Sequence, residues 1–326
     1  MLEPDAVSER DFLVVDRVTK RFPLKGGRDI QALRSVSFAQ ARGETLGIVG
    51  ESGSGKSTLG RIILQLISPS SGEVRFDGVA LDKLSAAALR QKRRDMQMVF
   101  QDPQASLDPR MRIERLLEEP LVIHGGGTAA ERRARVRQLL DLVGLPQEAA
   151  RRFPHEFSGG QRQRIAIARA IALSPALIVA DEPLSALDVS IQAQILNLLI
   201  DLRRRLGLTY VFISHDLAVI RHMSDTVAVI YFGEIVEYAA ADDLFERPAH
   251  PYTRSLLLAI PDIGRRAEGD APTLAGEMPS PDAPPPGCAF HPRCPAALPR
   301  CKIEAPPERD IGAPGRPHRV QCWLYA

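Results

Sequence analysis

The chain has 326 residues, enough for one or two domains with an appendage. Hydrophobic residues make up 44% and charged residues 25%, a globular composition, and a formal net charge of +2 gives no reason to invoke nucleic acid as a partner. No window reaches the roughly 18 uncharged apolar residues that a spanning helix needs, and residues 1–10 carry Glu3, Asp5 and Glu9 without an apolar stretch, so neither a membrane span nor a secretory signal is expected.

In chain order, strands are predicted over 12–18, 45–49, 74–76 and 97–100, the first two rich in β-branched residues. Residues 101 to about 172 read as helical, with Val136, Leu139, Leu140 and Val143 at helical spacing in 129–143. Residues 177–260 return to alternating strand and helix. The continuous apolar runs 177–180 and 210–213 suit central strands covered on both faces, and a periodic helix over 189–206 separates them. The alternation implies an α/β fold with a mostly parallel sheet. The basic runs at 90–94 and 132–135 read as solvated helix faces. The last 64 residues, 263–326, hold 13 of the 26 prolines and all four cysteines, so regular helix and sheet are not expected there.

Gly50, Glu51, Ser52, Gly53, Ser54, Gly55, Lys56 and Ser57, followed by Thr58, fit the phosphate-loop pattern between a strand and a helix. Glycines let the backbone wrap a polyphosphate closely, and the helix N-terminus favours anions. Lys56 can reach β- and γ-phosphate oxygens, and the Ser57 hydroxyl can ligate Mg²⁺. A Gly/Ser turn matches this pattern by chance in roughly one chain in a hundred of this length. Alone, the loop says only that the chain binds a nucleoside triphosphate.

The apolar run 177–180 ends in Asp181 and Glu182, at the strand end that faces the ligand crevice of a parallel sheet. Asp181 is placed to hold Mg²⁺, and Glu182 is the candidate general base for the attacking water. By itself such a pair could merely cap a turn.

Phe157, Ser158, Gly159, Gly160, Gln161, Arg162, Gln163 and Arg164 lead into a helical run. This stretch resembles the signature motif of the ABC ATPases. The resemblance implies an ABC cassette: a P-loop NTPase with a RecA-like parallel-sheet core, an N-terminal antiparallel β subdomain and a helical signature subdomain. It also implies that Ser158, Gly159, Gly160 and Gln161 close over ATP held by a partner's phosphate loop in a head-to-tail dimer. Gln101 matches the Q-loop residue, which would touch Mg²⁺ or the attacking water. Ser185, Ala186, Leu187 and Asp188 match the D-loop, His215 the switch histidine, and Phe22 is the candidate adenine-stacking aromatic.

Four further stretches narrow the resemblance to the oligopeptide/dipeptide importer ATPases, and within that group the stretch from Phe157 to Arg164 resembles the second of the two ATPase subunits. The four are Phe100-Gln101-Asp102-Pro103, Ala105-Ser106-Leu107-Asp108-Pro109, Pro154-His155-Glu156-Phe157 and His250-Pro251-Tyr252-Thr253. The implied assembly is a heterodimer with a sister ABC ATPase subunit, two transmembrane permease subunits and an extracytoplasmic solute-binding protein. It lies on the cytoplasmic face of the inner membrane, where this chain is peripheral. Nickel and glutathione importers use similar ATPases. A soluble, non-transport ABC ATPase is a rival, though such chains usually carry two cassettes or coiled-coil arms.

Cys288, Cys294, Cys301 and Cys322 are separated by five, six and twenty residues. Zinc ligands usually come in tighter pairs, and the spacing fits no ferredoxin pattern, so free thiols, Zn²⁺ and an iron–sulfur cluster all stay open on spacing. Pro286-Gly287-Cys288, Phe290-His291-Pro292-Arg293-Cys294-Pro295 and His318-Arg319-Val320-Gln321-Cys322 resemble the C-terminal extension of the peptide-importer ATPases. That resemblance implies a [4Fe-4S] cluster, with Zn²⁺ as the alternative, acting as a staple for a tail with little core of its own. The tail as a redox or metal sensor for the ATPase is a third reading. The expected division is an ATPase domain over 1–262, its helical subdomain at about 102–172, and the extension over 263–326.

Overall fold

Two period-two runs open the described chain. β1 (Leu13–Pro23) buries Leu13, Val15 and Val18, and β2 (Asp29–Gln40) buries Leu33, Val36 and Phe38. There follow β3 (Thr45–Val49), α1 (Lys56–Ile63), β4 (Ser71–Phe76), β5 (Val79–Ala80), α2 (Ala86–Lys92), β6 (Met96–Val99), α3 (Pro103–Ser106), α4 (Ile113–Ile123), α5 (Ala129–Leu142), α6 (Gly159–Ala170), β7 (Leu177–Asp181), α7 (Val189–Leu206) and β8 (Thr209–Ile213). The chain continues through α8 (Leu217–Met223), β9 (Thr226–Tyr231), β10 (Glu234–Ala240), α9 (Ala241–Glu246), α10 (Pro251–Leu258), β11 (Glu308–Asp310) and β12 (His318–Gln321). The computed structural model describes residues 11–23, 29–259, 276–280 and 282–326. The expected boundary at 262/263 lies outside them. Among the described residues no helix is long and apolar enough to cross a membrane.

The chain divides into two compact units. The first takes the residues up to Gln40, Thr45–Asp82 and those from Ser214 on. It contains the antiparallel sheet β2-β1-β4-β5, the β subdomain that the resemblance implied. Its second set of strands begins with β3 and β9, which run parallel with Val49 opposite Val229. β10 pairs antiparallel with β9. Every residue of β3 is buried, as its continuous apolar pattern requires of a strand covered on both faces.

The second unit takes Ala41–Glu44 and Lys83–Ile213. Its parallel strands β6, β7 and β8 align Met96 with Leu177 and Leu177 with Thr209. β7 and β8 are buried along their whole length. The helical stretch expected from 101 to 172 is present as α3 to α6. α5 starts where a capping box starts it: the Thr128 Oγ1 accepts from the Glu131 N–H, and the Glu131 carboxylate accepts from the Thr128 N–H. α7 covers the predicted 189–206 and stops at Gly207, whose φ of 65° is the left-handed C-cap.

The expectation that the tail lacks regular structure is corrected. β12 pairs antiparallel with β10, Val320 opposite Glu237, and β11 pairs with β12. The prolines of this region, such as Pro307, Pro314 and Pro317, fall outside the two short strands, so the ladder loses no donor. The tail also has more core than expected, because it shares one with the rest of its unit. Phe290 is 1% exposed and packs against the rings of Tyr231, Tyr252 and His250. Val320 and Cys322 are buried against Ala249.

Candidate nucleotide site

The phosphate loop leaves the end of β3 and closes at α1. A Cβ at Gly50 would run into the carbonyl oxygen of Ile230, so only glycine fits beside β9. Gly55, the N-cap of α1, has a φ of 105°, and a Cβ there would lie 2.6 Å from the Ala32 carbonyl oxygen. The first turn of α1 carries no acidic side chain, which leaves its positive end open to an anion. Lys56 is buried and spans the loop, donating from Nζ to the carbonyls of Gly50 at 2.7 Å and Glu51 at 2.8 Å. Ser52 and Gly53 are exposed at the tip, Ser54 is buried, and Ser57 and Thr58 are half-buried in the first turn of α1.

Within the second unit, β7 delivers the two carboxylates to its C-terminal end. Asp181 is buried, and Glu182 follows in the left-handed region with φ 46°. That conformation is uncommon for a residue with a Cβ and persists only where neighbours impose it. Here the Glu182 N–H donates to the Ile213 carbonyl at 2.9 Å, and the Ser185 Oγ donates to the Glu182 carbonyl at 3.1 Å. The Gln101 amide, two residues past the end of β6, donates to Glu182 Oε2 at 3.1 Å. Three predicted residues are thus brought together. The Asp181 carboxylate and the Gln101 amide carbonyl in this unit, and the Ser57 hydroxyl in the first, are each oxygen donors of the kind Mg²⁺ takes, so the donor chemistry fits.

α6 begins at Ser158, whose Oγ accepts from the Gln161 N–H while Gln161 Oε1 accepts from the Ser158 N–H. Ser158, Gly159 and Gln161 are exposed, and Gly160 is buried against the Ile191 side chain. Asp188 stands exposed at the N-cap position of α7, and Gln192 holds the preceding turn by donating to the Leu184 carbonyl at 3.1 Å. His215 is exposed in the turn before α8. The Ser214 N–H beside it donates to the Ile48 carbonyl, which sets this turn at the end of β3. Phe22 is 38% exposed near the end of β1, with the Lys20 ammonium over its ring at 5.1 Å.

Two residues that grip the loop have no role assigned from the sequence, although both lie in stretches that carry the resemblance. The Tyr252 hydroxyl accepts from the Glu51 N–H at 2.9 Å, and Arg293 pairs with the Glu51 carboxylate. They stand 201 and 242 residues from Glu51, separations at which no local pattern signals contact.

Cys301 and Cys322 are buried, Cys288 and Cys294 half-buried. Burial pushes the Cys288 thiol up to about 11, and the nearby Cys301, Cys322 and Cys294 push it the same way. Burial also raises Cys294 and Cys322. The four thiols therefore share a neighbourhood. Even so, among the described residues no three His, Cys, Asp or Glu side chains converge on a point that could hold a metal. The described residues therefore do not support the expected four-thiolate site. The β10–β12 ladder and the Phe290 ring cluster hold the tail.

Comparison with known proteins agrees with this geometry. Residues 33–185 match the family model described as ABC transporter, and residues 236–301 match that of the oligopeptide/dipeptide transporter C-terminal region. The chain is 52% identical over 305 residues to a putative peptide import ATP-binding protein of Brucella ovis, covering 94% of this chain and 96% of that one. It is 48% identical to the oligopeptide transport ATP-binding protein AppF of Bacillus subtilis, covering 98% and 99%. Among solved structures it resembles the ATP-binding cassette MJ0796, captured as a post-hydrolysis dimer with ADP and Pi. There the TM-score is 0.64 at 35% identity, over 70% of this chain and 98% of that one. The protein cbiO1 of Clostridium perfringens, part of the ABC transporter complex cbiONQ, gives 0.65 at 27% identity, over 73% and 92%. With its phosphate loop, capped signature helix and acidic strand end in place, the chain belongs to the ATP-binding subunits of the oligopeptide/dipeptide ABC transporters.

Proposed function

We propose that this chain hydrolyses ATP, in a dimer with a sister ABC ATPase subunit, to power peptide import through two permease subunits supplied by an extracytoplasmic binding protein. The observation that carries the reading is the Glu182 carboxylate, held in a left-handed turn at the end of β7 and oriented by Gln101. A general base must be aimed before the substrate arrives, because proton transfer needs the acceptor within hydrogen-bond reach.

In this reading Lys56 and the amides of 50–58 bind the β- and γ-phosphates, Phe22 stacks on adenine, and Ser57, Asp181 and Gln101 would hold Mg²⁺. The ion, when bound, neutralises charge on the phosphate oxygens. Glu182 takes a proton from water as the water oxygen bonds to the γ-phosphorus. The bond from that phosphorus to the β–γ bridging oxygen breaks, and ADP leaves. His215 donates to the γ-phosphate. Ser158, Gly159, Gly160 and Gln161 serve the partner's ATP from the exposed tip of α6, and Asp188 lies at the dimer seam. The division into an ATPase domain over 1–262, with a helical subdomain near 102–172, and an extension over 263–326 belongs to the same proposal. So does a peripheral place on the cytoplasmic face of the inner membrane, which the missing membrane-spanning helix among the described residues supports.

A four-thiol site holding [4Fe-4S] or Zn²⁺ rests on the shared neighbourhood of Cys288, Cys294, Cys301 and Cys322. Iron or zinc in the protein as isolated would support it, and the absence of both removes it.

The test is ATP-driven uptake of a labelled peptide into vesicles carrying both ATPases, the permeases and the binding protein. Peptide-dependent hydrolysis supports the reading. Uptake of nickel or glutathione in place of peptide reassigns the cargo, and no hydrolysis with the sister subunit and Mg²⁺ rejects the ATPase itself.

A further inference from the structure

The phosphate loop contains a carboxylate. Glu51 sits one residue into the cradle, where a polyphosphate carrying several negative charges is expected, yet α1 excludes acid from its first turn. A free carboxylate here would oppose the ligand. The structure resolves the conflict from 242 residues away. Arg293 Nη1 donates to Glu51 Oε2 at 2.8 Å and Nη2 to Glu51 Oε1 at 3.0 Å, the fork-to-fork geometry that arginine and carboxylate make. The Arg293 side chain is 6% exposed and that of Glu51 25%.

Arg293 is itself fixed. Its N–H donates to the Phe290 carbonyl at 3.0 Å, and its guanidinium lies over the Tyr231 ring at 5.9 Å. Phe290 anchors this turn between Tyr231, at 5.2 Å, and Tyr252, at 5.4 Å. Tyr252 in turn accepts the Glu51 N–H, and Lys56 donates to the Glu51 carbonyl. Every polar group of Glu51 is therefore engaged, the side chain by the C-terminal extension.

We propose that Arg293 is a positioning residue for nucleotide: it neutralises Glu51 and holds its carboxylate away from the phosphate-binding face of the loop, which makes the C-terminal extension part of the ATP cradle. The inference rests on the ATP-binding reading and adds the tail to it. Removing Arg293 alone would leave an unpaired, largely buried carboxylate beside the phosphates. Removing both charges would leave none.

The experiment measures the affinity of the purified full-length chain for a fluorescent ATP analogue with Mg²⁺. Arg293→Met or Arg293→Gln should loosen binding by about tenfold or more, the scale expected when one partner of a buried charge pair is removed. Adding Glu51→Gln to either should bring the affinity back to within about threefold of wild type, since coupled charges are non-additive. A purely structural role for Arg293 would leave the double variant as weak as the single one, and that result overturns the proposal. Wild-type affinity in a folded single variant overturns it too. Should the single variants not fold, the double variant carries the test: it should fold and bind within about threefold of wild type, and binding about tenfold weaker rejects the pairing. Wild-type protein that binds no nucleotide would instead reject the underlying ATP-binding reading, a separate outcome.

Discussion

Gln101 reaches across 81 residues of chain to donate its amide N–H to Glu182 Oε2 at 3.1 Å. The bond orients a carboxylate whose own backbone is already forced to φ 46°. Replacing Glu182 by Gln keeps the shape and the Gln101 contact but removes the proton acceptor. We expect phosphate release to fall by about 10²–10⁴, the usual worth of a general base, while the protein still binds ATP and forms a stable ATP-bound dimer with its sister subunit. Wild-type turnover in Glu182→Gln takes Glu182 out of its assigned role.

The tip of α6 is exposed. Ser158 accepts the Gln161 N–H, and the tip offers the positive end of a helix. Ser158→Asp can still cap the helix, but it sets a carboxylate where a partner's γ-phosphate would dock. ATP-dependent dimerisation, followed by light scattering in the Glu182→Gln background, should be lost. Dimerisation at the unmodified ATP concentration would mean that this tip does not meet the partner's nucleotide.

Acid should weaken the fold through His250. The side chain is 1% exposed, and its Nδ1 accepts the Tyr252 N–H at 3.0 Å, a role only the unprotonated nitrogen can fill. Burial pulls its pKa down from 6.5 to about 4, against the opposing pull of Glu237. The folded value lies below the unfolded one, so the unfolded chain binds more protons in between. The stabilisation is complete above pH 6.5 and is lost as pH falls towards 4, at most about 3 kcal/mol by the linkage relation. Glu237 adds to the same limb at lower pH. Burial raises its pKa, but hydrogen bonds from His318, Thr253, Ala249 and His250 overcome this and hold it below the ordinary range. Urea unfolding between pH 8 and 4 measures the slope. His250→Asn, which retains a cap acceptor, should flatten it between 6.5 and 4, and an unaltered slope would show that His250 is not the titrating group.

The tail should stay docked without metal. β12 is laddered to β10, His318 Nε2 lies 2.7 Å from the fully buried Glu237 Oε1, and Phe290 fills the ring cluster. Chelator treatment should move the melting temperature by no more than about 2 °C, whereas Phe290→Ala, which empties a buried aromatic site, should cost about 3–5 kcal/mol. A large fall on chelation, matched by loss of bound iron or zinc, would show that a metal holds the extension in place.

Local chemistry was legible from the residues alone. The loop 50–57 has the glycines that a backbone needs to wrap a polyphosphate closely, the Ser158–Gln161 box caps a helix within four residues, and α7 announces itself by period over 189–206. Continuous apolar runs marked β7 and β8 because a strand covered on both faces needs them. Tertiary structure alone decided which distant residues complete those local devices. Nothing near Glu51 in the chain predicts that Arg293 neutralises it, nothing near Glu182 predicts its left-handed turn, and the proline-rich tail hides a strand that β10 accepts. The physical reason is that a charge pair or a strand edge is satisfied by whatever the fold brings within a few ångströms, and that proximity leaves no periodic trace in the sequence.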